Sequence, residues 1–432
     1  MGAAKDTEGV VMKIYIDVSV LTMAAFITGI QRVTREIACR LVSDMSVDVI
    51  LLFYHARQNA FYQIDRRAFL RYYTGRGGIR ERMITRRRVD LSEIGDGDVF
   101  FDLDAAWMCR IRRSYLLPIL KKQGAVIVAH IYDVISVTHP QYCMTGGVYH
   151  FMDYIGAHLA YADALIVNAQ ATAAELKNLA ERTGCKMPAC TVVPLGADFY
   201  EKQKSGKRTS GYRIRKDLAA AVKDHRPYLL MAGTIEPRKN HKLLLQAYNE
   251  GLRDLGYSIL FAGYLGWDMD AFVHDMKRHP DYGKRIFHFS GLNDQEISFL
   301  YAHARFLVFC SYVEGYGLPV VEALLHGTPV LAADMPVTRE TAGDCCVYFP
   351  QDDAGRMCDT VAYFEKNTEA YQMLRRRICK FSSVSWQTCC RGMRKALYQA
   401  WQKKTEGQAV GAYEKPCIRY NKKTGKTNVR SR

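Results

Sequence analysis

No stretch of the 432-residue chain holds the roughly 18 to 20 consecutive apolar residues that a membrane-spanning helix needs, so no spanning helix is expected. The opening MGAAKDTEGVVMKIYIDVSVL lacks a basic stretch followed by an apolar core, and no secretion leader is expected from it. Thirteen cysteines are present, but the number is odd, the spacing is scattered and no C-x-x-C occurs. That pattern speaks for free thiols in a reducing compartment and against a disulfide framework or a zinc site. H-E-x-x-H, G-x-S-x-G and any Cys/His catalytic spacing are missing, which leaves no zinc-peptidase or serine-hydrolase reading. G-x-G-x-x-G is also missing, and with it the dinucleotide fingerprint.

Acid is scarce relative to base: 44 Asp and Glu against 60 Lys and Arg give a formal net charge of +16. Such a balance suits an anionic substrate, an anionic membrane or nucleic acid. Much of it sits in Arg66 to Arg88, with nine arginines and one acid, and in the tail after Lys403. Phe69, Leu70, Tyr72, Tyr73, Ile79, Met83 and Ile84 are interleaved with those arginines. Basic and apolar residues mixed in this way fit an interfacial membrane surface, the alternative being a solvated basic face. No helix-turn-helix, zinc or RNA-binding pattern accompanies the charge, so no nucleic-acid partner is expected.

What is present is an alternation of apolar runs and helical spacing. KIYIDVSV reads as a first strand, followed by a turn at Thr28-Gly29 and a helix with Ile30, Val33, Ile37 and Leu41 on one face. VDVILLFYH, GDVFFDLDAAW, AVIVAHIYDV, ADALIV and CTVVPLG are further strands. After the polar stretch 201–226 a second half repeats the pattern through PYLLMAG, SILFAG, RIFHFSG, ARFLVFC and TPVLAAD. The fold class is therefore α/β, with two mostly parallel sheets and a cleft between them, a usual place for a ligand. The expected domains are 1–205 and 206–385, then a helix over 386–402 and a basic, disordered tail over 403–432.

Two stretches of the second half carry the chemistry. In SYVEGYGLPVVEALLHGTPVLAA, residues 311–333, a strand leads through a Gly-rich turn into a helix expected near Leu318, with Pro319 in its first turn. The free N–H groups of that turn, Gly315 to Gly317, and of the helix start would face one point, which suits a diphosphate. Glu314 stands on the loop and Glu322 one turn into the helix, so one carboxylate can reach a sugar and the other a ribose diol. In GTIEPRKN, Gly233 to Asn240, Arg238 and Lys239 stand at an expected helix start, where cations oppose the dipole unless an anion joins them. Gly29 marks a third possible phosphate-facing turn. Asp102-Leu-Asp104 and Asp268-Met-Asp270 match D-x-D, yet two carboxylates do not make a metal site, and a structural or acceptor-contact role is preferred. His130 on a strand reads as a core histidine, and His139 is the more exposed one.

EGYGLPVVEA resembles the E-x7-E signature of the family-four retaining glycosyltransferases of GT-B fold. GTIEPRKNH, ADALIVNAQATAAEL, VVPLGAD and TGIQRVTRE are similar to that family as well, in the same order, above all to members that build bacterial surface polysaccharides. The resemblance runs from about Lys13 to Trp386. It implies two Rossmann-like domains, with the C-terminal one holding a nucleotide-sugar donor and the N-terminal one the acceptor. It implies that Glu322 binds the ribose, that Glu314 contacts the transferred sugar, and that Lys239, with Arg238, binds the diphosphate. Gly29, Gly233, Thr234, Gly315, Tyr316, Gly317 and Leu318 would surround the donor, Leu292 would line the base pocket, and the last helix would cross back to the N-terminal domain. There are departures. Tyr316 replaces a phenylalanine. Thr234 stands where many members have an arginine, which removes one phosphate cation unless Arg238 replaces it. Tyr132 stands where many have a histidine, so Tyr132, Asp133 and His130 share the acceptor-side role with Asp104.

The expected activity is transfer of a hexose of mannose or rhamnose type, with GDP-mannose placed first, to a glycan or lipid-linked acceptor. No cofactor or metal is expected. The expected location is the cytoplasm, peripheral on the inner membrane face. An epimerase of similar fold and a non-catalytic nucleotide-sugar-binding protein are the alternatives.

Overall fold

Among the described residues fourteen strands fall into two sheets, one after the other along the chain, and Arg419–Asn421 and Lys426–Asn428 form a separate antiparallel pair. The structure, a computed structural model, describes residues 12–25, 28–75, 77–198, 214–223, 226–405, 419–421 and 426–428. The strands of the first sheet are β1 (Lys13–Asp17), β2 (Asp48–His55), β3 (Ala60–Ile64), β4 (Ile84–Val89), β5 (Asp98–Asp102), β6 (Val126–Ile131), β7 (Ala164–Val167) and β8 (Ala189–Val192). They lie in the order β4-β3-β2-β1-β5-β6-β7-β8. The second sheet contains β9 (Tyr228–Ala232), β10 (Ser258–Ala262), β11 (Ile286–Phe289), β12 (Phe306–Phe309), β13 (Val330–Ala333) and β14 (Cys346–Phe349), ordered β11-β10-β9-β12-β13-β14.

Every pairing in the second sheet is parallel, and in the first only β2-β3 and β3-β4 are antiparallel. Parallel strands must be covered on both faces, which is why β6, β9, β10 and β12 are buried along their whole length. In each sheet the strand order reverses beside the first strand, between β1 and β5 and between β9 and β12. Loops at the carboxyl ends of those strands diverge there and leave a crevice. Residues 311–317 follow β12 and residues 233–240 follow β9, so both motif stretches stand at one switch point.

The antiparallel hairpin β3–β4 was not expected, and it corrects the reading of Arg66 to Arg88. Phe69 and Met83 are fully buried, and Leu70, Tyr72, Tyr73 and Ile84 lie against the same core. Only Ile79 of the interleaved apolar residues stays exposed. The apolar residues are thus the inner face of helix Arg66–Tyr73 and of β4. Arg86, Arg87 and Arg88 are exposed along β4, the edge strand, where charge discourages pairing with another chain.

The last helix, Trp386–Thr405, packs on the first sheet and the helix Gly29–Ser43. Trp386 is buried with Ile16 and Phe101 in one core, and its N–H donates to Asp198 Oδ1 at 2.5 Å. Gly196 makes this possible: a Cβ there would come within 2.5 Å of the Trp386 backbone. Among the described residues no helix is long and apolar enough to cross a membrane. The expected boundary at 205/206 and most of the tail lie outside the described residues.

Candidate active site

Two loops of the second domain meet face to face. The helix after β12 spans Leu318–Leu325, with Pro319 in its first turn and Gly317 as N-cap at φ +91°, a value that favours glycine. The loop after β9 differs from its expected form. Pro237–Lys239 is a short 3-10 turn, and Asn240 at φ +55° separates it from helix His241–Ala247. Arg238 and Lys239 therefore precede the helix and point back across the loop. Gly233 holds φ +133°, and a Cβ there would sit 3.7 Å from Lys239 Cε, so the lysine lies directly over it. Thr234 is half-buried beside Gly266.

Glu314 is the centre of the cluster. Its Oε2 is 2.7 Å from Arg238 Nη1, its Oε1 pairs with Lys239 Nζ, and Ser311 Oγ donates to it at 2.7 Å. Burial would push its carboxyl up, but the two cations and the hydrogen bonds prevail and hold it at about 2. Arg238 is fully engaged: it also pairs with Glu236 at 2.5 Å and donates to Val313 O at 3.0 Å. Lys239 has one carboxylate partner and lies over the Phe309 ring.

Glu322 stands apart from this cluster. It accepts from Tyr301 Oη at 3.0 Å and pairs with Arg32 Nη1 of the first domain at 3.0 Å. Burial raises its pKa against the opposing pull of Arg32. Leu292 is half-buried just ahead of helix Asp294–His303, which also supplies Tyr301. Among the described residues, no three His, Cys, Asp or Glu side chains converge as a metal site would need.

The first domain closes over this wall. Asn168 Nδ2 and Thr172 Oγ1 both donate to Gly315 O at 3.0 Å, and Tyr316 Oη donates to Leu195 O at 3.1 Å. Glu340 accepts from the N–H groups of Gln170 and Ala171, capping a helix of the opposite domain. Gly315 lies so close to Tyr132 O that a Cβ would stand 2.5 Å from it. Gly29 is exposed at the start of helix Gly29–Ser43, with no atom within 4 Å of where a Cβ would stand.

The side chains of three of the four acceptor-side candidates do not reach that cleft. Asp104 is buried, and both its oxygens are held by backbone N–H groups, of Leu21 at 2.7 Å and Ala105 at 2.8 Å. Burial pushes it up to about 7. Tyr132 is buried, with its hydroxyl donating to Leu103 O at 2.7 Å. His130 is enclosed, with neither ring nitrogen hydrogen-bonded, and burial pushes it down to about 3. It is thus a core histidine without partners. Asp133 alone is half-buried at the cleft, with Oδ2 3.4 Å from where a Gly315 Cβ would be. Asp102 is structural: it and Asp17 clamp the buried Arg113 at 2.6 and 2.8 Å. The sequence reading missed Arg32, Asn168, Thr172 and Glu340.

Two Rossmann-like sheets opposed across a cleft, with the last helix returning to the first, make this a GT-B fold. Within it, residues 214–380 match the model of the family described as Glycosyl transferases group 1. The chain is similar to the serotype-specific mannosyltransferase WbdA of Escherichia coli, 28% identical over 375 residues, covering 82% of this chain and 42% of WbdA. It is also similar to the O-antigen chain mannosyltransferase B of Escherichia coli, 31% identical over 165 residues, covering 38% of this chain and 43% of that protein. The chain thus spans well under half the length of these relatives. Among solved structures, Anabaena HepE in complex with UDP and glucose superposes with a TM-score of 0.59 at 11% identity, over 90% of this chain and 99% of HepE. That likeness concerns the fold.

Proposed function

We propose that the chain is a retaining hexosyltransferase that moves mannose from GDP-mannose to a glycan or lipid-linked acceptor in surface-polysaccharide synthesis. The observation that carries the reading is the placement of Glu314, Lys239 and Glu322 around one switch-point crevice. The names of the mannosyltransferase relatives support the choice of sugar.

In this structure Glu314 and Lys239 neutralise each other. A nucleoside diphosphate supplies the missing anion: Lys239 turns to it, and Glu314 is freed for the hexose. The Gly315–Gly317 loop and the N-terminus of helix Leu318–Leu325 add N–H donors, so charge on the leaving diphosphate is met by preorganised groups without a metal. Glu322 takes the ribose diol. The acceptor hydroxyl attacks on the leaving-group face, and its proton passes to the departing phosphate, so no protein base is required. Glu314 stabilises positive charge at the anomeric carbon. Closure through Gly315 excludes water.

Peripheral attachment to the anionic inner membrane face belongs to the proposal and rests on the exposed arginines, among them Arg67, Arg71, Arg82 and Arg86. Co-sedimentation with anionic vesicles at low salt supports it, and absence of binding there refutes it. The activity is tested with radiolabelled GDP-mannose and a mannosylated acceptor. Transfer that falls at least ~100-fold in Lys239→Ala and Glu314→Ala is expected. Wild-type turnover in both variants, or conversion of the donor without an acceptor as in an epimerase, overturns it.

A further inference from the structure

Helix Gly29–Ser43 starts at the cleft with no acidic residue in its first turn. A capping box between Thr28 and Gln31 satisfies part of this terminus, the helix dipole still leaves partial positive charge there, and Arg32 adds a full charge one turn in. Like charges gathered at one helix start are unfavourable unless an anion joins them. In this structure the anions come from the other domain. Arg32 Nη1 lies 3.0 Å from Glu322 Oε1, and Nη2 lies 3.1 Å from Asp294 Oδ1. Glu322 is nearly enclosed, and its other oxygen already accepts from Tyr301.

That arrangement conflicts with a bound donor. Two ribose hydroxyls need the carboxylate oxygens of Glu322, and the guanidinium occupies one of them. A ribose 5′-diphosphate brings its own anion within a side chain's length of the same point. The second domain is short of a cation for it. Thr234 carries no charge, and Arg238 is tied to Glu236, Glu314 and Val313 O, with only 18% of its side chain exposed.

We propose that Arg32 is the diphosphate-binding cation of the first domain: it releases Glu322 when the ribose arrives and closes its two-pronged guanidinium on a phosphate oxygen of the nucleoside diphosphate. The inference rests on the donor-cleft reading above. It couples donor entry to closure, because the residue that bridges the domains through Glu322 and Asp294 also grips the donor. Arginine suits this exchange, since one planar fork serves carboxylate and phosphate alike.

The test is calorimetric titration of the full chain with GDP, UDP and guanosine, in wild type, Arg32→Ala and Arg32→Lys. Guanosine carries the ribose without phosphate and reports on a folded, competent pocket. Loss of a charge-assisted contact should weaken GDP binding by roughly 10- to 100-fold in Arg32→Ala. Guanosine binding should stay equal or tighten, because Glu322 is freed. Arg32→Lys should fall between, and KM for the donor should rise more than kcat falls. GDP bound by Arg32→Ala as tightly as by wild type, or more tightly, overturns the proposal and leaves Arg32 a latch between the domains. Equal weakening of GDP and guanosine overturns it too, because the phosphate is then not what Arg32 recognises. A wild type that binds neither GDP nor UDP overturns the donor-cleft reading, and the inference with it.

Discussion

Replacing Glu314 by glutamine removes one charge and almost no volume from the ion cluster. Two cations then face each other without their carboxylate: Arg238 at 2.7 Å from Oε2, and Lys239 on Oε1. The side chain of Glu314 is only 8% exposed, so water screens little of the loss. Holding a carboxyl at about 2 in place of 4.5 corresponds to about 3 kcal/mol of native-state stabilisation. A similar magnitude, about 3–5 kcal/mol, is typical when one partner of a buried pair is removed. For a domain of this size about 3 kcal/mol lowers the Tm by roughly 6 to 12 °C. The sign with pH follows from the depressed pKa. The contribution is complete above 4.5 and fades as pH falls through about 2, so wild type and variant converge in acid. Differential scanning calorimetry at pH 7 with and without GDP is the assay. A diphosphate supplies the missing anion, so the deficit of Glu314→Gln should shrink on adding GDP beyond the ordinary ligand shift of the wild type. A Tm within 1–2 °C of wild type (roughly 0.5 kcal/mol) would refute the cluster as drawn, and a deficit unchanged by GDP would refute its role as a placeholder for phosphate.

Gly315→Ala places a Cβ 2.5 Å from Tyr132 O. The domains should be held apart and Arg32 drawn away from the donor, with turnover down by about 100-fold, nucleotide affinity lowered and a larger radius in solution scattering; unaltered turnover contradicts this. Arg113→Met leaves Asp17 and Asp102 buried without their shared cation. Denaturant unfolding should show a loss of about 3–5 kcal/mol, and a loss under about 1 would be inconsistent with the clamp. Burial holds His130 at about 3, below its usual 6.5, so the unfolded chain takes up that proton first. Stability should therefore fall by up to about 1.4 kcal/mol per pH unit from 6.5 toward 3 on this account, and His130→Phe should flatten that slope. A pH dependence of Tm identical in the two proteins counts against it.

Five of the six strands of the second sheet were legible as apolar runs beside Gly-rich turns, β14 (CVYF) was passed over, and the turn from Gly315 to Leu318 declares its helix through Pro319. The first sheet was less so. β4 reads ITRRRV, and a strand of three successive arginines has no apolar alternation to betray it; only its edge position makes sense of the charge. Burial of Phe69 and Met83 turns the apolar residues of that segment inward and leaves its exposed arginines as the part that can meet a membrane. Within the site, Glu314, Glu322 and Lys239 were marked by type and spacing. Arg32 carried the same signal as Arg238, a cation near a helix start, and was passed over because its partners lie 262 and 290 residues away. Asn168, Thr172 and Glu340 matter only through contacts across the cleft, which no local pattern encodes. Asp104 looked available as a carboxylate just past a strand end, and packing encloses it, whereas His130 is the core histidine that its place on a strand suggests, not the acceptor-side group that the resemblance offered.

The central claim is that the crevice between residues 233–240 and 311–317 holds a nucleoside diphosphate. A crystal structure of the chain grown with GDP tests it most directly. Density should place the ribose hydroxyls on Glu322, the diphosphate on Lys239 and the N–H groups of the Gly315–Gly317 turn, and should show Glu314 released from Lys239. Density for GDP elsewhere, such as in the groove lined by Arg40, Tyr73 and Arg391, with the Glu314–Lys239 pair intact, would contradict the account.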